Sequence, residues 1–489
     1  LSPELLAQCN KPKSKRPPKP LGPQLLAIGL LLVVIAMVVK RLPKSAGNHS
    51  AAFKRRRLLN WLPLGLTYGF LYMARYNINV YMDIERITPA QFGTMFGVGS
   101  LVYGLSFFLN GPLTDRWGGR ATILISAGGV AATNLIWGIM ELTGNSLGDR
   151  ITNLTVLYAV NMYFQSFGAV SIVKVNQQWF HVRERGTFGG IFGILISLGV
   201  FLAYDGGRMI TEYLPIPWLF FMPALLLGIF FMINYFLVFD RPSEAGYADI
   251  DTGDGDADAD DGKPVNVGAV LTRVLTHPVI MTVAVIELFS GFLRQAIMQW
   301  SKEFSRGVGL ENSFVITNIG VVLCIAGIVG GMFAGAVSDH LFKSRRGPVS
   351  AFLYGLVLIG AIAIVPLFNY RPAIPWVIAV MAMAIIGVHG MLTATMSQDF
   401  GGKRNTGIVV GVIDGFVYFG STLQSFFYGH FLPGKIPCPN GNNITDPAAK
   451  DINNWHVWPY AMIVVALLGF VLALRLWNVR PGKQSSSGH

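Results

Sequence analysis

Apolar stretches about as long as a bilayer is thick recur along this 489-residue chain. They run over 59–82, 92–113, 119–141, 153–174, 186–207 and 216–238, then 275–300, 314–338, 349–367, 374–397, 406–431 and 456–477. A helix needs roughly 20 such residues to cross the hydrocarbon core, where every backbone group must find its partner within the protein. Charged residues make up only 13% of the chain; a soluble domain carries about 25%. The fold class that follows is an all-α integral membrane protein with twelve transmembrane helices.

The net charge of +12 suggests nucleic acid, but most Lys and Arg flank the apolar segments, as topogenic charges do. With Lys54–Arg57 inside, short inner loops and ends hold sixteen positive residues and outer loops eight. Both ends of the main body are therefore expected on the cytoplasmic side of a cell (inner) membrane, with the lipid bilayer as partner and no nucleic acid. Cys9, Cys324 and Cys438 fall in different compartments of this topology, so no disulfide framework or metal site is expected. A further apolar run, 21–39, has basic residues on both sides. An extra N-terminal helix, a cleaved presequence and an over-extended start all remain open for it.

Residues 241–268, rich in Asp, Gly and Ala, read as a solvated linker. In the register starting at Asp256, "DGDADADDG" lacks the glycine and glutamate of a calcium loop. The expected division is an extension (1–53), a six-helix bundle (54–240), an acidic linker (241–273), a second bundle (274–480) and a tail (481–489). The two bundles echo one another. "LNGPLTDRWGGR" (109–120) matches "FAGAVSDHLFKSRRG" (333–347), and "FLYMAR" ending at Arg75 matches "FSGFLR" ending at Arg294. Duplicated halves with polar groups at matched membrane depth are how secondary transporters are built, with the site between the halves.

Arg75 lies 18 residues beyond Arg57, and Arg294 lies 17 beyond His277. Each is thus about 26 Å along its helix. Arginine facing lipid at the bilayer centre costs roughly 2.5–3.5 kcal/mol even on insertion scales. Two arginines at equivalent depth favour a shared anionic ligand over backbone anchoring, with Glu287 and Asp414 as possible resident partners. Guanidinium binds phosphate bidentately, which lysine does not. Tyr68 and Tyr72 precede Arg75 by seven and three residues, so all three share a helix face suited to a cavity wall. Asn77 and Asn79 follow, as caps or cross-helix bonds.

"YGFLYMARYN", "YGLSFFLNGPLTDR", "FQSFG", "RERGTFGG" and "GFLRQAIMQW" together resemble the organophosphate:phosphate antiporters of the major facilitator superfamily. These include the bacterial glycerol-phosphate and hexose-phosphate transporters. The resemblance covers about 55–480. It implies two six-helix bundles, substrate gripped by Arg75 and Arg294, and a cavity lined by Tyr68 and Tyr72. Gln165, Gln299, Lys174 and His389 join the expected substrate contacts. Phe107 stands where glycerol-phosphate transporters carry a lysine, and Ile196 where they carry a histidine. His389 either restores a protonatable donor or packs between helices, and Lys174 either binds substrate or snorkels. Loops around Asp115, Arg116 and Arg120, and around Asp339 and Arg345, are expected to remake ion pairs as the bundles rock.

The implied activity is exchange of an organic phosphate ester for inorganic phosphate by a functional monomer, with no cofactor or metal. A sensor that binds without transporting, and a proton-coupled symporter of a carboxylate, are the rivals. No Lys-Ser/Thr glycine loop, His-Glu-x-x-His or nucleophile–base pair points to an enzyme.

Overall fold

The computed structural model describes residues 5–6, 29, 49–85, 87–143, 147–181, 193–252, 267–342, 346–392, 397–438 and 443–478. Within these, side chains at 147–150, 335–336, 338–340, 397–407 and a few loop positions are left undescribed. Apart from Gly29, the 21–39 segment lies outside the described residues, as do the linker's aspartate run and Arg345; the Asp339 side chain does too.

Twelve long helices follow one another among the described residues. The first six are α1 (Ala51–Glu85), α2 (Pro89–Trp117), α3 (Gly119–Thr143), α4 (Leu147–Trp179), α5 (Gly193–Tyr213) and α6 (Trp218–Leu237). The second six are α7 (Pro278–Gly307), α8 (Ile319–His340), α9 (Arg346–Leu367), α10 (Ile374–Met391), α11 (Ser397–Phe431) and α12 (Val457–Arg475). Ten of these are long and apolar enough to cross a membrane. α8 falls short because its described apolar part ends at Ala334. Helix α1 carries Asn60, Arg75, Asn77 and Asn79, and it buries all four inside the protein. Side chains that hydrocarbon would reject are thus shielded by neighbouring helices, while Leu109, Phe236 and Ile359 face outward, each more than 60% exposed.

Local chemistry sets the ends. Thr88 and Gln91 form a capping box at the start of α2, and His277 Nδ1 accepts from the Ile280 amide ahead of α7. Small residues let helices approach. A Cβ on Gly93 would lie 2.4 Å from the Ser425 carbonyl oxygen, and one on Gly291 would lie 1.9 Å from that of Val417. These glycines bring α2 and α7 backbone to backbone with α11.

At one end of the bundle, Asp240 accepts from the Arg120 amide at 2.9 Å. Burial pushes the Asp240 carboxyl above its ordinary range, against the lowering effect of that amide. Arg120 also donates to the Tyr235 carbonyl, at 2.6 Å, while Arg116 points to the exterior. At the opposite end Asp83 pairs with Arg208 of the same half, at 3.3 Å. It also pairs with Lys302 and with Arg306 (3.1 Å) of the other half. Two short antiparallel strands, β1 (Lys435–Pro437) and β2 (Asn443–Thr445), lie near that end, with Gly434 packed against Pro89.

One expectation is corrected here. Cys438 is disulfide-bonded, and Leu5 packs with Ile436 against Cys438 and Ile444. Cys324 is free and buried, and Cys9, the remaining cysteine, lies outside the described residues. Residues more than 400 positions apart meet there, a proximity that spacing along the chain does not encode.

Candidate functional site

Helix α4 holds α1 through a polar stripe. Gln165 Nε2 donates to the Leu71 carbonyl (3.0 Å), Asn161 Nδ2 to Ala74 (3.2 Å), and the Tyr158 hydroxyl to Arg75 (3.4 Å). Residues 158, 161 and 165 recur at helical spacing, so one face of α4 makes all three bonds.

That grip fixes Arg75, which is wholly buried. Its Nε donates to Gln165 Oε1 at 2.8 Å and its Nη2 to the Tyr103 hydroxyl at 2.9 Å. Its Nη1 donates to the hydroxyl of Tyr418 from α11, in the other half. The guanidinium also lies 4.6 Å from the Tyr72 ring centroid and 4.5 Å from that of Tyr103, within cation–π range. Tyr68 meets Tyr72 edge to face at 5.2 Å. None of the three hydrogen-bond partners is an acid.

Arg294 is differently placed. It is 4% exposed, yet its Nε and Nη2 have no hydrogen-bond partner. Those two nitrogens form the side-on edge of a guanidinium, the edge that takes an oxyanion bidentately. Around it on α7, Gln295 Oε1, Gln299 Nε2 and the Ser301 hydroxyl are buried without partners too. Each such group costs about 1–3 kcal/mol unless something meets it. Tyr72, Tyr76 and Tyr418 lie within electrostatic range of both arginines, so the two cations converge on one tyrosine-lined region. Gln295 Nε2 donates to the Tyr76 hydroxyl at 2.8 Å, and Gln424 Nε2 donates to Gln299 Oε1 at 2.8 Å.

The remaining expected residues spread out. Gln165 spends its hydrogen bonds on holding Arg75 and α1. Lys174 Nζ sits 2.7 Å from Asp115 Oδ1. It lies nine residues beyond Gln165, about 13 Å toward the Asp115 end. His389 is bonded to a buried acid, with Nδ1 2.9 Å from Glu287 Oε2. Asn77 bonds across to Asn134 and Leu219, while Asn79 bonds the Tyr76 carbonyl.

Sequence reasoning missed Tyr103, Tyr418 and Gln295. Tyr103 stands one turn before Phe107, and the Phe107 ring packs on it at 4.7 Å, so the position that lacks a cation backs a tyrosine instead. The only sequence signal for Tyr418 was Asp414, one turn earlier in the same apolar run.

A family model described as "Major Facilitator Superfamily" matches residues 64–425. Among curated proteins, the chain is similar to a "Glycerol-3-phosphate transporter" of Bacillus subtilis (strain 168). The two are 25% identical over 470 residues, covering 90% of this chain and 96% of the relative. It is 24% identical to the "Membrane sensor protein UhpC" of Escherichia coli (strain K12), covering 86% and 91%. It is also 24% identical to a "Probable hexose phosphate transport protein" of Chlamydia trachomatis serovar D, covering 87% and 92%. Among solved structures, a point mutant of the nucleoside transporter NupG superposes with a TM-score of 0.58 at 13% identity, covering 85% of this chain and 99% of that one. That likeness is one of fold. The chain belongs to the major facilitator superfamily, and its resemblance runs to proteins named for glycerol-phosphate and hexose-phosphate transport or sensing.

Proposed function

We propose that this protein is a secondary transporter of an organic phosphate ester, a glycerol phosphate or a sugar phosphate, exchanged for inorganic phosphate. The observation that carries the reading is the buried, unpaired side-on edge of Arg294, facing the same tyrosines as Arg75. A phosphoryl group seated there accepts two parallel bonds from Arg294, and its charge offsets the repulsion between the two guanidiniums. Tyr68, Tyr72 and Gln299 offer rings and an amide to the organic body of the ester.

Neutralising the arginine pair favours closure of the halves around the ligand, so an empty carrier reorients slowly and transport becomes exchange. Rocking then has to break the links between halves at the Asp83 end. Asp83 holds Lys302 and Arg306 there, Tyr204 donates to the Met298 carbonyl (2.7 Å), and Asp205 accepts from the Val321 amide (2.9 Å). The Asp115–Lys174 pair at the other end is the corresponding candidate gate, with the Asp339 and Arg345 loop as its proposed counterpart.

The test is counterflow in proteoliposomes loaded with inorganic phosphate. External glycerol phosphate or a hexose phosphate should enter only against internal phosphate or ester, and inorganic phosphate should compete. Equal entry into empty vesicles, or competition by carboxylates but not by phosphate, would sink the exchange reading. The similarity to a sensor supports a second reading, in which the same site binds esters without moving them. Saturable binding with no counterflow is its signature.

A further inference from the structure

Gln295 and Gln299 stand one turn apart on one face of α7, and both are buried. Each amide is half used. Gln295 Nε2 donates to the Tyr76 hydroxyl at 2.8 Å, while its Oε1 has no hydrogen-bond partner. Gln299 Oε1 accepts from Gln424 Nε2 at 2.8 Å, while its Nε2 has none. Chemistry fixes the second orientation. Trp300 Nε1, which can only donate, gives its hydrogen to Gln424 Oε1 at 2.9 Å. Gln424 therefore turns its Nε2 toward Gln299, whose Oε1 must face it, and the Gln299 donor is left over. An unmet acceptor and an unmet donor thus sit about 6 Å apart along the axis, anchored at their other ends and not bonded to each other.

This gap adjoins the proposed oxyanion seat. Tyr76, whose hydroxyl holds Gln295, lies within electrostatic range of Arg294. An oxyanion at the arginine only accepts hydrogen bonds, so it leaves Gln295 Oε1 unmet. A hydroxyl both gives and accepts, and serves either amide. We infer that Gln295 and Gln299 form a hydroxyl-reading subsite that selects a sugar phosphate, whose hydroxyls donate to Gln295 Oε1 and accept from Gln299 Nε2. The inference rests on the transport reading above and names the ester within it.

Reach and shape agree with that assignment. Gln299 lies five residues past Arg294, about 7.5 Å along the axis, which suits a six-carbon body better than a three-carbon one. The rings of Tyr72 and Tyr76, with centroids 5.8 Å apart, offer apolar surface for the C–H face of a sugar ring. Selectivity follows from burial. A site built to bond a hydroxyl rejects an analogue lacking it, because the site's own polar groups are then left without partners.

The experiment uses the full chain in proteoliposomes and measures how much of each competitor halves the self-exchange of labelled inorganic phosphate. Three esters are compared: glucose-6-phosphate, glycerol phosphate, and cyclohexylmethyl phosphate, which keeps a six-membered ring but no hydroxyls. Glucose-6-phosphate should compete about tenfold better than glycerol phosphate and about 100-fold better than the cyclohexyl ester. Gln295→Met and Gln299→Met, close to glutamine in volume, should each narrow that second preference about tenfold. A parent that ranks the two ring esters equally overturns the inference, since water then fills the gap. Preference for glycerol phosphate overturns the sugar assignment. Variants that weaken both ring esters alike overturn it as well, because the amides then only hold helices together. Should either variant fail to fold, the parent's ranking decides. A parent that exchanges phosphate but ignores ester hydroxyls defeats this inference alone. One that exchanges neither phosphate nor ester defeats the transport reading first, and the inference with it.

Discussion

Arg75 and Arg294 occupy matched places in the two halves, but their surroundings have diverged. Arg75 gives Nε to Gln165 and its two terminal nitrogens to Tyr103 and Tyr418, with aromatic rings against its plane. Arg294 keeps Nε and Nη2 unmet in an equally buried position. Hydrogen bonds to a charged group are worth about 1.5–3 kcal/mol each, so the first arginine is held in place before any ligand arrives. The second carries the unmet hydrogen-bonding capacity. The clamp proposed above is on this geometry asymmetric: a fixed cation would set the field, and an open one would take the oxyanion. The link from Arg75 to Tyr418 also ties the fixed jaw to the opposite half, so changes at the site reach the interface between the halves.

Substituting both arginines tests that asymmetry most severely. Arg294→Lys keeps the charge and removes the side-on edge. Phosphate-ester exchange should fall about 100-fold, the equivalent of roughly two tenfold losses in transition-state or ligand affinity, with the melting temperature unchanged. Arg75→Lys should lose exchange and also melt earlier, because Gln165 Oε1 and the two hydroxyls are left buried without their donor. Counterflow beside thermal unfolding in detergent reads both; equal destabilisation in the two variants would break the comparison. A smaller effect separates the partners of Arg75. Tyr418→Phe removes a link between halves and should slow exchange about tenfold, whereas Tyr103→Phe removes one within a half and should cost less. Reversal of that order would place the ligand against Tyr103. The smallest effect is expected at Lys174. With its Nζ on Asp115, Lys174→Met should lower the maximal rate a few-fold and leave the apparent KM for the ester unchanged. A raised KM with a normal rate would return Lys174 to the cavity.

Much of this arrangement was legible beforehand because it rests on cost. A guanidinium deep in an apolar run needs shielding, and its recurrence at matched depth in a duplicated pattern pointed to one shared region. That Tyr68 and Tyr72 lie on the Arg75 side of α1 followed from helical spacing. Lys174 was left between two readings because depth along a helix is readable from sequence while direction toward a neighbour is not. A lysine stem reaches either a cavity or an acid on the next helix, and the structure pairs it with Asp115 on α2. His389 was ambiguous for a related reason: an imidazole in an apolar run has no address until its partner is known, and Glu287 sits 102 positions earlier. Tyr418 carries no signal of its own, since a tyrosine in an apolar helix reads as packing.

The sequence by itself determined that the chain is a bundle of membrane-crossing helices in two echoing halves, and that its costliest side chains lie at matched depth. Span length and hydropathy are properties of contiguous residues, and burying charge in hydrocarbon is costly whatever the fold. Only the tertiary structure decided which arginine is held and which is open, that Glu287 meets His389, and that Cys438 is bonded. Those outcomes are distances of a few ångströms between residues on different helices, and hydrogen bonds and ion pairs form or fail over that range.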